Sequence, residues 1–336
     1  MLVRLIVRRL LALILVLLAL SLVTFVLSHV VPGDPARLIA GPRASQQAVE
    51  ITRHKYGLDR PLYDQYLTYI KGVVTFNFGT SLSSLRPVRS DLASYFPATA
   101  ELALAALVLS LVVGFPLGIL SAIRPNSIID NIARVISITG IATPVFCLAL
   151  LAQYVFFVKL KWLPDGGRLP PGSTPPRTIT GLYTVDSLLT GHWSLFLLAL
   201  KYLLMPACVL AYSTLPLITR QLRGAMLEVL SMDFIRTARS KGLTERSTIL
   251  RHALRNAMLP VVTIIGLQVG LLFSGAVLIE IIFSWPGIGR YALTGVTNFD
   301  YNAIMAVTIV IGFCYVVINM LADIAYFLLD PRISSQ

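Results

Sequence analysis

Six apolar runs recur along the chain, at 10–31, 102–123, 135–158, 202–219, 257–279 and 301–322. A helix needs about 20 apolar residues to cross a bilayer. Inside lipid, its backbone groups must be satisfied within the segment itself. The runs therefore predict an all-α membrane protein with six transmembrane helices. The fourth run is the shortest and holds Pro206 and Pro216, so a broken span is expected there. Composition agrees, with 56% of residues hydrophobic and 13% charged, whereas soluble domains carry about 25% charged residues.

The N-terminal Arg4, Arg8 and Arg9 precede an apolar run that continues through Leu27. That run exceeds the core of a signal peptide, so it reads as an uncleaved first span. Six spans put both termini on one side. Arg124 and Arg134 share that side, as does the loop holding Arg220, Arg223, Arg236, Arg239, Lys241, Arg246, Arg251 and Arg255. Positively charged loops stay in the cytoplasm, so both termini are expected there, in a multi-pass protein of the cytoplasmic membrane. The net charge of +12 then meets anionic membrane lipid. Nucleic acid is not an expected partner, because no basic patch is interleaved with aromatics.

The segment 32–96 falls outside the cytoplasm. It reads as helical at 45–56, closed by Gly57, and at 62–74 after Pro61. A second outer loop at 163–177 holds Gly166, Gly167 and five prolines and reads as turns. The expected division is an N-terminal transmembrane helix at 1–31, an extracytoplasmic helical excursion at 32–96, a five-helix core at 97–330 and a cytoplasmic tail at 331–336. Within the core, 220–258 forms a cytoplasmic loop.

Several chemistries are missing. No Gly-Lys dipeptide occurs, so there is no Walker A phosphate loop. There is no His-Glu-x-x-His and no Gly-x-Ser-x-Gly, and the four histidines are scattered. No metal, no cofactor and no catalytic residue is expected in this chain. Cys147, Cys208 and Cys314 lie in apolar runs and read as small packed residues. The span centres hold no Asp, Glu, Lys or Arg, which speaks against an ion-coupled secondary transporter. Glu101, Lys201, Glu280 and Asp323 sit near span ends, where snorkelling is inexpensive.

One cytoplasmic stretch stands out. Residues 233–243, Asp-Phe-Ile-Arg-Thr-Ala-Arg-Ser-Lys-Gly-Leu, are polar, basic and helix-prone. Ser231 or Asp233 can cap a helix that Gly242 stops. Thr244 can cap a second one running to about Asn256. Phe234 and Ala238, four residues apart, share a helix face beside Arg239 and Lys241. This reads as an amphipathic peg for a protein groove.

The stretch resembles the coupling motif of binding-protein-dependent ABC importers, in the form used by peptide and nickel permeases. Other stretches follow that family in order: Val31-Pro32-Gly33-Asp34-Pro35, Tyr56-Gly57-Leu58-Asp59-Arg60-Pro61, Phe78-Gly79-Thr80-Ser81-Leu82, Pro97-Ala98-Thr99-Ala100-Glu101-Leu102, Thr143-Pro144-Val145-Phe146, Phe283-Ser284-Trp285-Pro286-Gly287-Ile288-Gly289 and Asp330-Pro331-Arg332. The long loop after span one resembles the first of the two permeases in dipeptide and oligopeptide importers. The general importer motif begins Glu-Ala-Ala, whereas this chain has Arg236-Thr237-Ala238, then Gly242.

The resemblance implies the type I importer permease fold. It also implies a homologous second permease, two cytoplasmic ATPases carrying ATP and Mg, and an extracytoplasmic solute-binding protein. Peptide cargo is implied, with nickel, glutathione or haem as alternatives. Asp233, Phe234, Arg236, Thr237, Ala238, Arg239, Lys241 and Gly242 would form the ATPase-coupling element, with Phe234 and Ala238 buried in the ATPase. In span five, Gly266, Gly270 and Ser274 recur every four residues, with Thr263 and Gln268 nearby. Such spacing allows close helix approach. Span five is expected to meet the partner permease and border the pathway, with Gln268 and Ser274 toward cargo. Phe283 and Trp285 read as interfacial belt or as outer gate.

Overall fold

The computed structural model describes residues 2–30, 35–41, 43–55 and 57–329. In order, the helices are α1 (Leu2–Val30), α2 (Pro35–Ala40), α3 (Gln46–Lys55), α4 (Leu62–Val74), α5 (Val88–Ile123), α6 (Ile128–Ala142) and α7 (Val145–Ala152). Then come α8 (Tyr183–Leu189), α9 (Trp193–Leu230), α10 (Asp233–Ser240), α11 (Glu245–Ser247), α12 (Leu254–Ile282), α13 (Ile288–Thr297) and α14 (Tyr301–Leu329). Wider π-helical turns continue α7 over Gln153–Lys159 and join α11 to α12 over Thr248–Ala253. The only β pairing among the described residues is the bridge between Thr80 and Pro87. Of the family-like stretches, residues 31–34 of the first, Tyr56 of the second and 330–332 lie outside the described residues, as does the tail at 331–336.

Five helices are long and apolar enough to cross a membrane, and a sixth crossing needs α6 and α7 with its continuation to act together. The third span is thus not one straight helix; it bends by 107°. The cause is Pro144, which drives Thr143 out of the helical region to ψ 121°. The fourth span corrects the expectation in the other direction. α9 runs unbroken for 38 residues through Pro206 and Pro216. Pro216 fits against Gly140 of α6, where any Cβ would collide with its ring. Close packing along a spanning helix tolerates the lost backbone bonds.

The described residues form two compact units, one within 97–286 with 315–329 and the other within 2–96 with 287–314. The segment 287–314, expected in the permease core, therefore groups with the N-terminal part.

In the first unit, α5 packs on α9 through glycines. A Cβ on Gly114 would lie 3.2 Å from Thr219 Oγ1, and one on Gly118 would lie 3.1 Å from Leu222 Cβ. Ser110 Oγ bonds Thr214 Oγ1 at 2.7 Å across the same seam. Elsewhere in this unit, a buried polar cluster gathers the family-like stretches. Arg168 pairs with Glu101 at 2.5 Å and donates to Gly181 O at 2.9 Å. The other Glu101 oxygen accepts from Thr184 N and Oγ1, both at 2.7 Å. Thr99 Oγ1 donates to Glu280 at 2.5 Å, and Trp285 Nε1 to Ala98 O at 2.8 Å. Glu101 and Glu280 are thus buried and bonded, not snorkelling.

Nearby, Asp186 accepts from Thr180 Oγ1 at 2.7 Å and from the amides of Ile179, Thr180 and Gly181. Burial pushes its carboxyl up, but these bonds outweigh it and hold it below the usual range. With the folded value below the unfolded one, its contribution to stability is complete near neutral pH. It is lost as pH falls through the folded value.

In the second unit, Asp300 plays a comparable part. It accepts from Ser81 Oγ at 2.5 Å and Ser83 N at 3.0 Å, seating the Phe78–Leu82 stretch. Tyr95 stacks on Tyr291 at 5.1 Å over a core of Val88, Leu92, Ile288, Ala303 and Val307. Ser21 of α1 bonds Tyr66 of α4 at 3.0 Å, and Phe25 packs on Tyr66 and Tyr69.

The cysteines correct the sequence reading. Cys147 and Cys208 are exposed and Cys314 is half-buried, so they lie on helix surfaces rather than inside the core.

Candidate coupling site

α9 runs to Leu230 and turns at Ser231–Met232 into α10. Neither expected cap forms. Met232 holds the N-cap position without a side-chain bond, and Ser231 Oγ turns back to Glu228 O at 2.7 Å. The C-terminal expectation holds. Gly242 takes φ +78°, its amide reaches Arg239 O at 2.9 Å, and Leu243 N reaches Ala238 O at 3.3 Å. This pair of bonds is the Schellman stop. A Cβ on Gly242 would meet nothing within 4 Å. Its requirement is therefore one of backbone conformation, not space.

α10 has two faces. Ile235 is fully buried, in a cluster with Ala122 of α5, Leu222 and Met226 of α9, and Ala257 and Val261 of α12. Phe234, the neighbouring residue, is 40% exposed. The expectation that Phe234 and Ala238 face outward together is corrected, since Ala238 is buried at 7%. Around a helix, Ala238 lies about 40° from Phe234 and about 60° from Ile235, and its small side chain joins the core. The open face consists of Phe234, Arg236, Thr237 and Lys241. Asp233 and Arg236 form only a loose 3.6 Å pair, with both side chains in the open. Arg239 is committed within the chain, to Glu245 at 2.8 and 3.3 Å.

Beyond Gly242, Thr244 accepts from Ser247 N at 3.4 Å and caps the next helical segment. That segment does not end near Asn256. It continues through the π-helical turns into α12, reaching Ile282 with Pro260 inside. α10 is therefore tied by side chains to α9 and α12 and by its chain to α12.

A second anchor was not found from the sequence. Asp130 at the start of α6 is fully buried. It accepts from Arg223 Nε at 2.7 Å and Nη2 at 3.0 Å, from Arg134 at 2.6 Å and from Asn126 N at 2.8 Å. The bidentate Arg223 pair fixes the polar end of α9, which leads into α10. The Asp130–Arg134 spacing is visible in the sequence; Arg223, 93 positions away, is not.

Span five divides the expected pathway residues. Gly266 packs on Ala322 and Gly270 on Tyr315, so both serve contact with α14 of the same chain. Gln268 is buried, whereas Thr263 and Ser274 are exposed. Eleven residues apart, Thr263 and Ser274 share a face. Gln268 lies about 120° around the helix from Ser274 and does not share its exposed face. Ser274→Leu is expected to alter transport KM with little loss of stability. Gln268→Leu is expected to do the reverse, as read by uptake kinetics and thermal unfolding. Phe283 and Trp285 are 0% and 1% exposed, which excludes the interfacial belt. They are packed anchors: Phe283 O accepts from Gly167 N at 2.8 Å, and Arg168 lies beside the Trp285 ring at 5.8 Å.

Comparison with known proteins covers nearly the whole chain. Residues 114–335 match the family described as binding-protein-dependent transport system inner membrane component. Residues 1–103 match the N-terminal family of the same transport-system membrane components. The chain is 46% identical over 321 residues to the probable D,D-dipeptide transport system permease protein DdpB of Escherichia coli strain K12, covering 96% of this chain and 94% of that protein. It is 40% identical over 326 residues to the dipeptide transport system permease protein DppB of Alkalihalophilus pseudofirmus, covering 97% and 98%. The di/tripeptide transport system permease protein DppB of Pseudomonas aeruginosa is 39% identical over 318 residues, with 94% of each chain covered. With an apolar helical body, a polar helix set against its core and relatives matched along nearly their full length, the chain belongs to the binding-protein-dependent inner-membrane transport components, as a permease subunit.

Proposed function

We propose that this permease forms half of the path by which dipeptides and short oligopeptides enter the cell. A homologous second permease forms the other half. Two ATPase subunits bind ATP and Mg in the cytoplasm, and a solute-binding protein delivers peptide from outside. Both termini and α10 face the cytoplasm, and the excursion at 32–96 contributes to the binding-protein contact. The names of the three relatives support the cargo.

The observation that carries the reading is the division of α10. Ile235 is packed among α5, α9 and α12 and Ala238 is buried, while Phe234, Arg236, Thr237 and Lys241 stay open. A rigid peg seated in its own bundle transmits a push. ATPase closure displaces α10, and α9 and α12 move with it because they share its core. The two permeases then exchange inward- and outward-open forms as rigid bodies.

The test is uptake of labelled dialanine into proteoliposomes. Uptake is expected only with the second permease, both ATPases, the binding protein and ATP present. Unlabelled di- and tripeptides should compete, whereas nickel, glutathione and haem should not. Ion-gradient uptake by this chain alone would overturn the proposal.

A further inference from the structure

We propose that a groove between the end of the α7 extension and the start of α9 binds one anionic phospholipid. The cavity measures about 550 Å³, within the usual range for ligand sites. Phe157, Val158 and Leu198 give it an apolar floor, and Lys161, Lys201 and Trp162 also line it. No carboxylate lines it. Among the described residues, no ion pair involves Lys161 or Lys201.

Local backbone geometry builds the wall. The π-helical turns end at Lys159, and Lys161 then takes φ +55°, a left-handed conformation that side-chain-bearing residues rarely adopt. The chain folds back so that Trp162 N and Leu163 N both reach Phe156 O, at 2.9 and 3.3 Å. Lys161 and Trp162 thereby stand on the same groove as Lys201.

The position fits a lipid. Between the two walls, residues 160–192 contain only the seven-residue α8, far short of the roughly 20 residues needed to cross. Both walls therefore end at one membrane surface, where headgroups lie. Ammonium groups attract the phosphodiester, and an indole belongs at that level. The apolar floor favours a lipid over free phosphate, since it offers an acyl chain a surface and an inorganic anion nothing.

Native mass spectrometry of the full transporter complex tests this, with phosphatidylglycerol, phosphatidylethanolamine and glycerol phosphate as probes. Phosphatidylglycerol should be retained in preference to phosphatidylethanolamine, and glycerol phosphate should not displace it. At about fivefold per lysine, K161Q/K201Q should lower phosphatidylglycerol affinity about 25-fold. K161R/K201R should retain the lipid, which controls for folding. L198W should also release it, with both lysines intact. Unchanged retention by K161Q/K201Q would overturn the site. Displacement by glycerol phosphate would overturn the lipid as occupant, and cross-linking of Trp162 to a partner subunit would do the same.

Discussion

Phe234→Asp is expected to reduce ATP-dependent peptide uptake at least about 30-fold while the chain still folds and inserts. A buried aromatic anchor at an interface carries 2 kcal/mol or more, and a charge in its place also brings a desolvation cost. Because Phe234 is 40% exposed in the isolated chain, the substitution strains nothing within it. Complexes should assemble more weakly, and the ATPase activity that remains should no longer respond to the loaded binding protein. Ile235→Asp, one residue along, should behave differently. Ile235 is fully buried, so a carboxylate there would disrupt the core and lower the amount of folded protein. Uptake, ATPase activity and thermal unfolding measured side by side separate the two outcomes. If both variants merely unfold, the two-faced description of α10 is wrong.

Arg168→Met is expected to destabilise the first unit by about 3–5 kcal/mol, the usual cost of removing one partner from a buried ion pair. Arg168 and Glu101 are 6% and 4% exposed. Without the guanidinium, Glu101 keeps its two bonds from Thr184 but loses its countercharge. The Tyr183 ring, 3.5 Å from that guanidinium, loses its cation contact as well. Adding Glu101→Gln should recover most of the loss, because a pair replaced on both sides leaves no unpaired charge. Thermal unfolding of the two single variants and the double variant in detergent closes the cycle. Additive losses would show that the two side chains do not act as a pair.

The helical membrane class was legible because bilayer thickness imposes a run length that few other constraints produce. α4 was readable to the residue from Pro61 and its apolar pattern, and the end of α10 from Gly242. Helix continuity was not readable. Pro144 breaks a span, whereas Pro206 and Pro216 do not, and the Pro216 ring is seated in a notch that Gly140 supplies from another helix. Of α10, the helical stretch and its polarity were evident, but the division between faces was not. Ala238 sits between the two faces and is buried, while the neighbouring Ile235 is the residue packed among α5, α9 and α12. Asp130 escaped notice and Glu101 was read as snorkelling for a related reason, since the arginines Arg223 and Arg168 that they meet lie 93 and 67 positions away.

Cross-linking from single cysteines on α10 tests the central claim most directly. Cys147, Cys208 and Cys314 are first replaced by alanine, and cysteine is placed in turn at Phe234, Lys241 and Ile235 in the assembled transporter. A short bifunctional reagent should join positions 234 and 241 to the ATPase subunit, with yields that change between nucleotide-free and ATP-bound states. Position 235 should give no product. Equal cross-linking from 235, or none from 234 and 241 in either state, would contradict a peg held inside by Ile235 and moved from outside through Phe234.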